Sequence, residues 1–139
     1  MDEQFSQEYI AFMQKAKALQ ALWVPGAGDW YLYLDTTRSM SPELVTGMTH
    51  AVVRDLKSRA KVRWLPSLCQ LIRIIEGAGW DWKAERYHTR VSSQARYWVY
   101  AQNHALELYE DEISIDLMLA TAKVAARVLE ELAALGGKG

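Results

Sequence analysis

The sequence predicts an α+β fold: a small, mainly antiparallel sheet of three to four strands covered by helices. Three observations predict it. Apolar residues recur at three- and four-residue steps near both ends of the chain. Two aromatic-rich extended segments, 80–90 and 95–103, flank a short polar connection of hairpin type. The resulting order is helix, strand, helix, helix, strands, helix, and strands grouped in this way belong to the α+β class.

Residues 4–22 read as the first helix, because Phe5, Tyr9, Phe12, Met13, Ala16, Leu19 and Trp23 share one face. The segment "VPGAG" (24–28) ends it. Residues 29–35, "DWYLYLD", form a strand candidate in which Trp30, Leu32 and Leu34 oppose Tyr31 and Tyr33. Both of its faces are largely apolar, as in a covered strand. Residues 41–60 read as a second helix, with Ser41 as N-cap, Pro42 in the first turn and Glu43 favouring the dipole. Gly47 and two β-branched residues weaken that helix. A short extended piece, 62–65, ends where Pro66 biases Leu65 away from helix. Ser67 and Gln70 have capping-box spacing for a helix running to about Glu76, which "GAG" stops. After the hairpin, 105–111 reads as a third strand or as a continuation of the second. The last helix runs from Glu112 to Leu135, with Ile113, Leu117, Ala120, Val124 and Val128 on one face.

The chain has 139 residues, half of them apolar, which fits one domain (1–139) with a core of its own. Sixteen basic residues against seventeen acidic ones give a net charge of −1, so no global case for nucleic acid or an anionic membrane arises. A single cysteine excludes an internal disulfide and fits a reducing cytoplasm. No secretory signal or spanning run is seen, so no membrane partner is expected. Six Trp and seven Tyr read first as core packing and second as a contact surface.

The combination of "GDWY" (28–31), "WLPSLCQLIRIIEGAGW" (64–80), "YWVYA" (97–101) and the closing alanine-rich helix is similar to small uncharacterised proteins of phages and prophages. The likeness covers roughly residues 24–135. It implies a phage or prophage origin and an α-β-α sandwich, and it implies no catalytic residues. The insert 36–61 departs from that pattern.

Several motifs bear on chemistry. Asp35, Thr37 and Ser39, followed by Met40, resemble the metal-ion-dependent adhesion site of von Willebrand factor A domains, which implies Mg²⁺ held by oxygen ligands. The later half of the chain lacks the alternating strands and helices of such domains. A strand end, a polar turn and a Ser41 cap are therefore the favoured reading, and no cofactor is expected. Cys69 sits among Leu68, Leu71 and Ile72 and reads as a buried small hydrophobe rather than a nucleophile. Glu85 and His88 fall on a strand, where a spacing of three separates them to opposite faces. "EDE" (110–112) reads as acids at a helix start.

Local basicity makes the best case for binding. Arg54, Lys57, Arg59, Lys61 and Arg63 fall within ten residues. Further along, Arg96 and Trp98 belong to a stretch where basic and aromatic side chains mix. Arg96, Trp98 and Tyr100 share one strand face, so an open face favours binding and a helix over it disfavours binding. With no enzyme constellation in view, the expectation is a non-enzymatic accessory or interaction protein. Its partner is an unknown protein or a second copy of the chain. A nucleic-acid-binding module is the alternative.

Overall fold

The structure, a computed structural model, describes residues 5–34 and 41–136. It is α+β, with two antiparallel three-stranded sheets and five helices among the described residues. The predicted class holds, and the strands are divided between two sheets. The chain forms two compact units: residues 10–67 make one, and residues up to 9 together with 68 onward make the other. The metal-site candidates Asp35, Thr37 and Ser39, with Met40, lie outside the described residues.

The 10–67 unit begins on a broken helix. The single helix expected over 4–22 is two: α1 (Gln7–Lys15) and α2 (Lys17–Ala21). The break falls at Ala16, whose ψ of 77° is not helical. The carbonyl of Met13 beside the break accepts the Gln20 side-chain amide at 2.9 Å. The same amide donates to the carbonyl of Trp64 at 2.9 Å, and its oxygen accepts the Trp64 N–H at 2.7 Å. Gln20 thus serves the open edge of a strand as a neighbouring strand would.

That strand is β3 (Val62–Leu65). It pairs with β1 (Trp30–Tyr33), which pairs in turn with β2 (Pro42–Leu44). The helix expected over 41–60 is therefore corrected. Pro42–Leu44 is an edge strand, Ser41 and Pro42 start no helix, and α3 covers only His50–Ser58. Pro tolerates a sheet edge, and the β2 end is fixed by Val45 N–H on the Asp29 carbonyl (2.8 Å). Gly28, at φ 96°, returns the tie by donating to the Val45 carbonyl at 2.8 Å. Asp29 also accepts from the Trp23 indole and the Gly26 N–H, both at 3.0 Å, which orders the "VPGAG" loop. Trp23 stacks on Tyr31 and Trp64 (centroids 6.4 and 6.3 Å apart) and, with Leu19, Leu32, Val45, Val53 and Leu65, forms the core of this unit.

The other unit is built on β4 (Asp81–Thr89), β5 (Ser92–Asn103) and β6 (Leu108–Ser114), in that spatial order. The hairpin turn is tighter than expected, at Arg90–Val91, and "SSQ" belongs to β5. α5 (Leu117–Gly136) packs on β5 and β6, and α4 (Leu68–Gly77) packs on α5 and β4. Val99, Ala101 and Asn103 alternate toward the helices and are buried, as are Leu71, Ile75, Leu119, Val124 and Val128. Cys69 is exposed, contrary to the expected burial, because α4 turns Leu71 and Ile75 inward instead.

"EDE" is part of β6 rather than a helix start. Glu112 faces α5, where Arg127 and Lys123 reach its carboxylate, so its charge is met on the half-buried side. The cap of α5 is Asp116, whose Oδ1 accepts the Leu119 N–H at 3.1 Å. Its Oδ2 accepts the hydroxyl of Ser6, and that hydroxyl accepts the Tyr9 N–H at 3.1 Å. One pair of side chains therefore caps the starts of α1 and α5. Burial, with the Asp116 charge nearby, pushes the Tyr9 phenol well above its ordinary range.

Candidate functional site

A β-strand sends alternate side chains to opposite faces, and the register of β4–β5–β6 fixes which residues share the face away from the helices. Glu85, Trp98 and Ile113 lie in one row. Lys83, Tyr100 and Asp111 lie in the next, then Asp81, Gln102 and Tyr109. Tyr87 and Arg96 pair at the far end. Neither α4 nor α5 packs on this face. Tyr109 is 45% exposed and Ile113 51% exposed, while Asp81, Lys83, Glu85, Arg96 and Asp111 are also exposed.

Three rings meet there. Trp98 and Tyr100 lie 4.7 Å apart between centroids, and Tyr100 and Tyr109 lie 6.2 Å apart. The polar tips are already occupied: the Trp98 indole donates to Asp111 Oδ2 at 3.0 Å and the Tyr100 hydroxyl to Glu85 Oε2 at 3.2 Å. Desolvation by neighbouring groups raises both phenols, with the Glu85 carboxylate adding to Tyr100 and Asp111 adding to Tyr109. Both phenols are held in their neutral form. The three rings thus offer surface on which the Trp98 indole and the Tyr100 hydroxyl are already hydrogen-bonded, an arrangement suited to contact rather than to proton transfer.

The charge on this face is mixed. Asp81, Glu85 and Asp111 stand against Lys83 and Arg96. Of the sequence-predicted pair, Arg96 is exposed and Trp98 is half-buried on the same face, as is Tyr100, but two carboxylates sit among the rings, where a phosphate backbone would be repelled. Tyr109 was not singled out from the sequence, and Ile113, expected on the face of the last helix, lies in β6 instead. Their signal was the alternation Tyr109, Asp111, Ile113, which belongs to a strand continuing past the helix start assigned at Glu112.

The other five predicted basic residues belong to the 10–67 unit and do not form one cluster. Arg54 donates to the Pro25 carbonyl at 3.3 Å. Arg59 pairs with Asp55 at 3.2 Å, one turn along α3. Lys61 is exposed. Lys57 and Arg63 come together in the wall of a cavity that also takes Lys15 and Lys17, which the sequence did not mark as candidates.

No cluster of three or more His, Cys, Asp or Glu with metal-binding geometry occurs among the described residues. Glu85 and His88 both lie on β4, as expected. His104 approaches Asp81 at 3.9 Å at the surface. No described helix is long and apolar enough to cross a membrane. Compared with known protein families, curated proteins and solved structures, the chain matches none.

Proposed function

We propose that this is a non-enzymatic interaction protein and that the open face of the β4–β5–β6 sheet is its contact surface. The observation that carries the reading is the row Trp98, Tyr100 and Tyr109, continued by Ile113, on a face that neither α4 nor α5 packs against. Tyr and Trp bury much area at low entropic cost and dominate contact energetics. The occupant is a second copy of the chain. Acid, base and acid alternate along β4 at Asp81, Lys83 and Glu85, with Arg96 beside them. A face carrying both signs in this way can meet its own copy across a two-fold axis with opposite charges opposed.

The test is light scattering over a concentration series. The wild type should rise from 15.9 kDa toward twice that mass. Ile113→Lys should stay monomeric with an unchanged circular dichroism spectrum, since Ile113 is half exposed in the monomer. Met48→Lys, at an exposed position of the other unit, should associate like the wild type. A wild type that remains monomeric up to about 1 mM, where even ~4 kcal/mol of association would show, overturns the reading.

The exposure of Arg96 beside Trp98 favours a second reading, in which bases stack on the rings. A monomeric protein that binds a short oligonucleotide, and loses it on Trp98→Ala, would select that reading.

A further inference from the structure

We propose that the cavity between α1–α2 and the α3–β3 segment is a binding site for a compact, multiply charged phosphoanion, of the size of a pyrophosphate or triphosphate group. It lies wholly within the 10–67 unit, has a volume of about 460 Å³, and is lined by Lys15, Lys17, Lys57 and Arg63 together with Gln14 and Gln20. The inference is independent of the sheet-face reading.

Four cations line one concavity with no carboxylate among its described lining residues. Like charges repel, and a cluster of this kind normally interleaves with acids on a folded surface. Here none of the four has an ion pair among the described residues. Two of them are instead held by neutral oxygens. Lys57 Nζ donates to the Trp23 carbonyl. Arg63 Nη1 donates to the carbonyls of Val62 and Ala60, at 3.1 and 3.4 Å. A carbonyl orients a cation without cancelling its charge, so among the described residues the four cations have no anionic partner. Lys15 and Lys17 are exposed at its rim.

Hydrogen bonds tie the frame of the cavity together. Gln20 ties α2 to β3 through Trp64 and back to α1 through Met13, so the lysines of α1 and α2 are held opposite Arg63. The far wall ends α3 with a Schellman pattern, in which Lys61 N–H reaches the Leu56 carbonyl and Ala60 N–H the Lys57 carbonyl, both at 2.9 Å. Ala60 occupies the left-handed position of that turn at φ 58°, where glycine is usual.

The shape selects among anions. No aromatic ring is among the described residues lining the cavity, so these offer no stacking surface for a base. Arg54 and Arg59 are turned to other partners, so the cations form a cluster rather than a stripe along which a nucleic-acid backbone would run. Arg and Lys together supply a forked donor and point charges, which suits several adjacent phosphate oxygens.

The experiment is calorimetric titration of the whole chain with inorganic tripolyphosphate, alongside orthophosphate and a short single-stranded oligonucleotide. Tripolyphosphate should bind with a stoichiometry of one and more tightly than orthophosphate. Lys17→Gln should weaken it by about fivefold to tenfold, and Lys15→Gln with Lys17→Gln by roughly thirtyfold or more. Both positions are exposed, so these variants should keep the wild-type melting temperature without ligand. Arg63→Gln should weaken binding similarly, whereas Arg90→Gln, in the other unit, should not. No heat and no rise in melting temperature at millimolar tripolyphosphate would overturn the proposal. So would equal weakening by Arg90→Gln, or binding unchanged in the double lysine variant. An oligonucleotide that binds more tightly and displaces tripolyphosphate would show that the phosphates belong to nucleic acid, and would overturn it as well.

Discussion

Replacing Gln20 tests how far one side chain holds the 10–67 unit together. In Gln20→Ala the Trp64 N–H and C=O lose their partners at 2.7 and 2.9 Å, and the Met13 carbonyl loses another at 2.9 Å. Trp64 is a buried residue on an edge strand. An unsatisfied buried backbone group costs about 1–3 kcal/mol, and water entering the space left by the amide will offset part of it. The expected loss is about 2–4 kcal/mol for the two strand groups together. With an m-value of ~2 kcal/mol/M, that lowers the urea midpoint by about 1–2 M. Tryptophan fluorescence is the natural probe, because Trp23 and Trp64 stack in the same unit.

Gln20→Glu sharpens the test. The carboxylate still accepts from the Trp64 N–H but faces two carbonyls it cannot satisfy. Its folded pKa is then raised above the unfolded value of about 4.3. The penalty is therefore full above the folded pKa and disappears as pH falls below the unfolded one. Gln20→Glu should be clearly weaker than wild type at neutral pH and close to it near pH 4. A midpoint shift of less than about 0.3 M in Gln20→Ala, or a Gln20→Glu deficit that does not change with pH, would refute the edge-sealing role, since the linkage requires both.

Three further outcomes are expected. Ala60→Gly should raise stability by up to about 1 kcal/mol in a urea melt, since φ 58° strains an L side chain. Thr121→Val should be neutral or stabilising by about 1 kcal/mol in a thermal melt, because the buried Thr121 hydroxyl has no hydrogen-bond partner among the described residues. Glu110→Gln should stabilise modestly at neutral pH and have no effect at low pH. Burial first, then the neighbouring Glu131 charge, raises the Glu110 carboxyl while Arg127 partly offsets them. The folded state thus resists its ionisation, and the cost appears as pH rises past the unfolded pKa; melting temperatures of both forms across pH 3–8, the range spanning that titration, check it.

Much of the architecture was legible from local chemistry. Pro66 before α4, the Gly pairs that stop helices, and the aromatic hairpin strands all act within a few residues, and their elements fall where they were expected. The misreadings share one cause. Pro42 and Glu43 look like a helix start, but their neighbours in space are Leu32 and Tyr31 of β1, and that pairing is set by contacts ten or more residues away. Ala16 sits in an unbroken apolar pattern, and the break there accompanies the Gln20 bridge to a strand over forty residues on. Glu112 satisfies the helix rule for acids, yet Arg127 and Lys123 meet it in β6. For the candidate sites, the face shared by Arg96, Trp98 and Tyr100 followed from strand alternation alone. The company of Lys15 and Lys17 with Lys57 and Arg63 did not, because it depends on where a helix breaks.

The hydroxyl of Ser6 on Asp116 joins residues 110 positions apart. During synthesis, residues 10–67 leave the ribosome before any of the strands and helices that Ser6 belongs with. The intervening unit can therefore close on itself first. The start of α1 waits for the start of α5, and the loop closed by that contact spans most of the chain, a slow, late event in topological terms. A nascent chain halted before residue 116 should show the inner unit resistant to protease and the outer one still open to it.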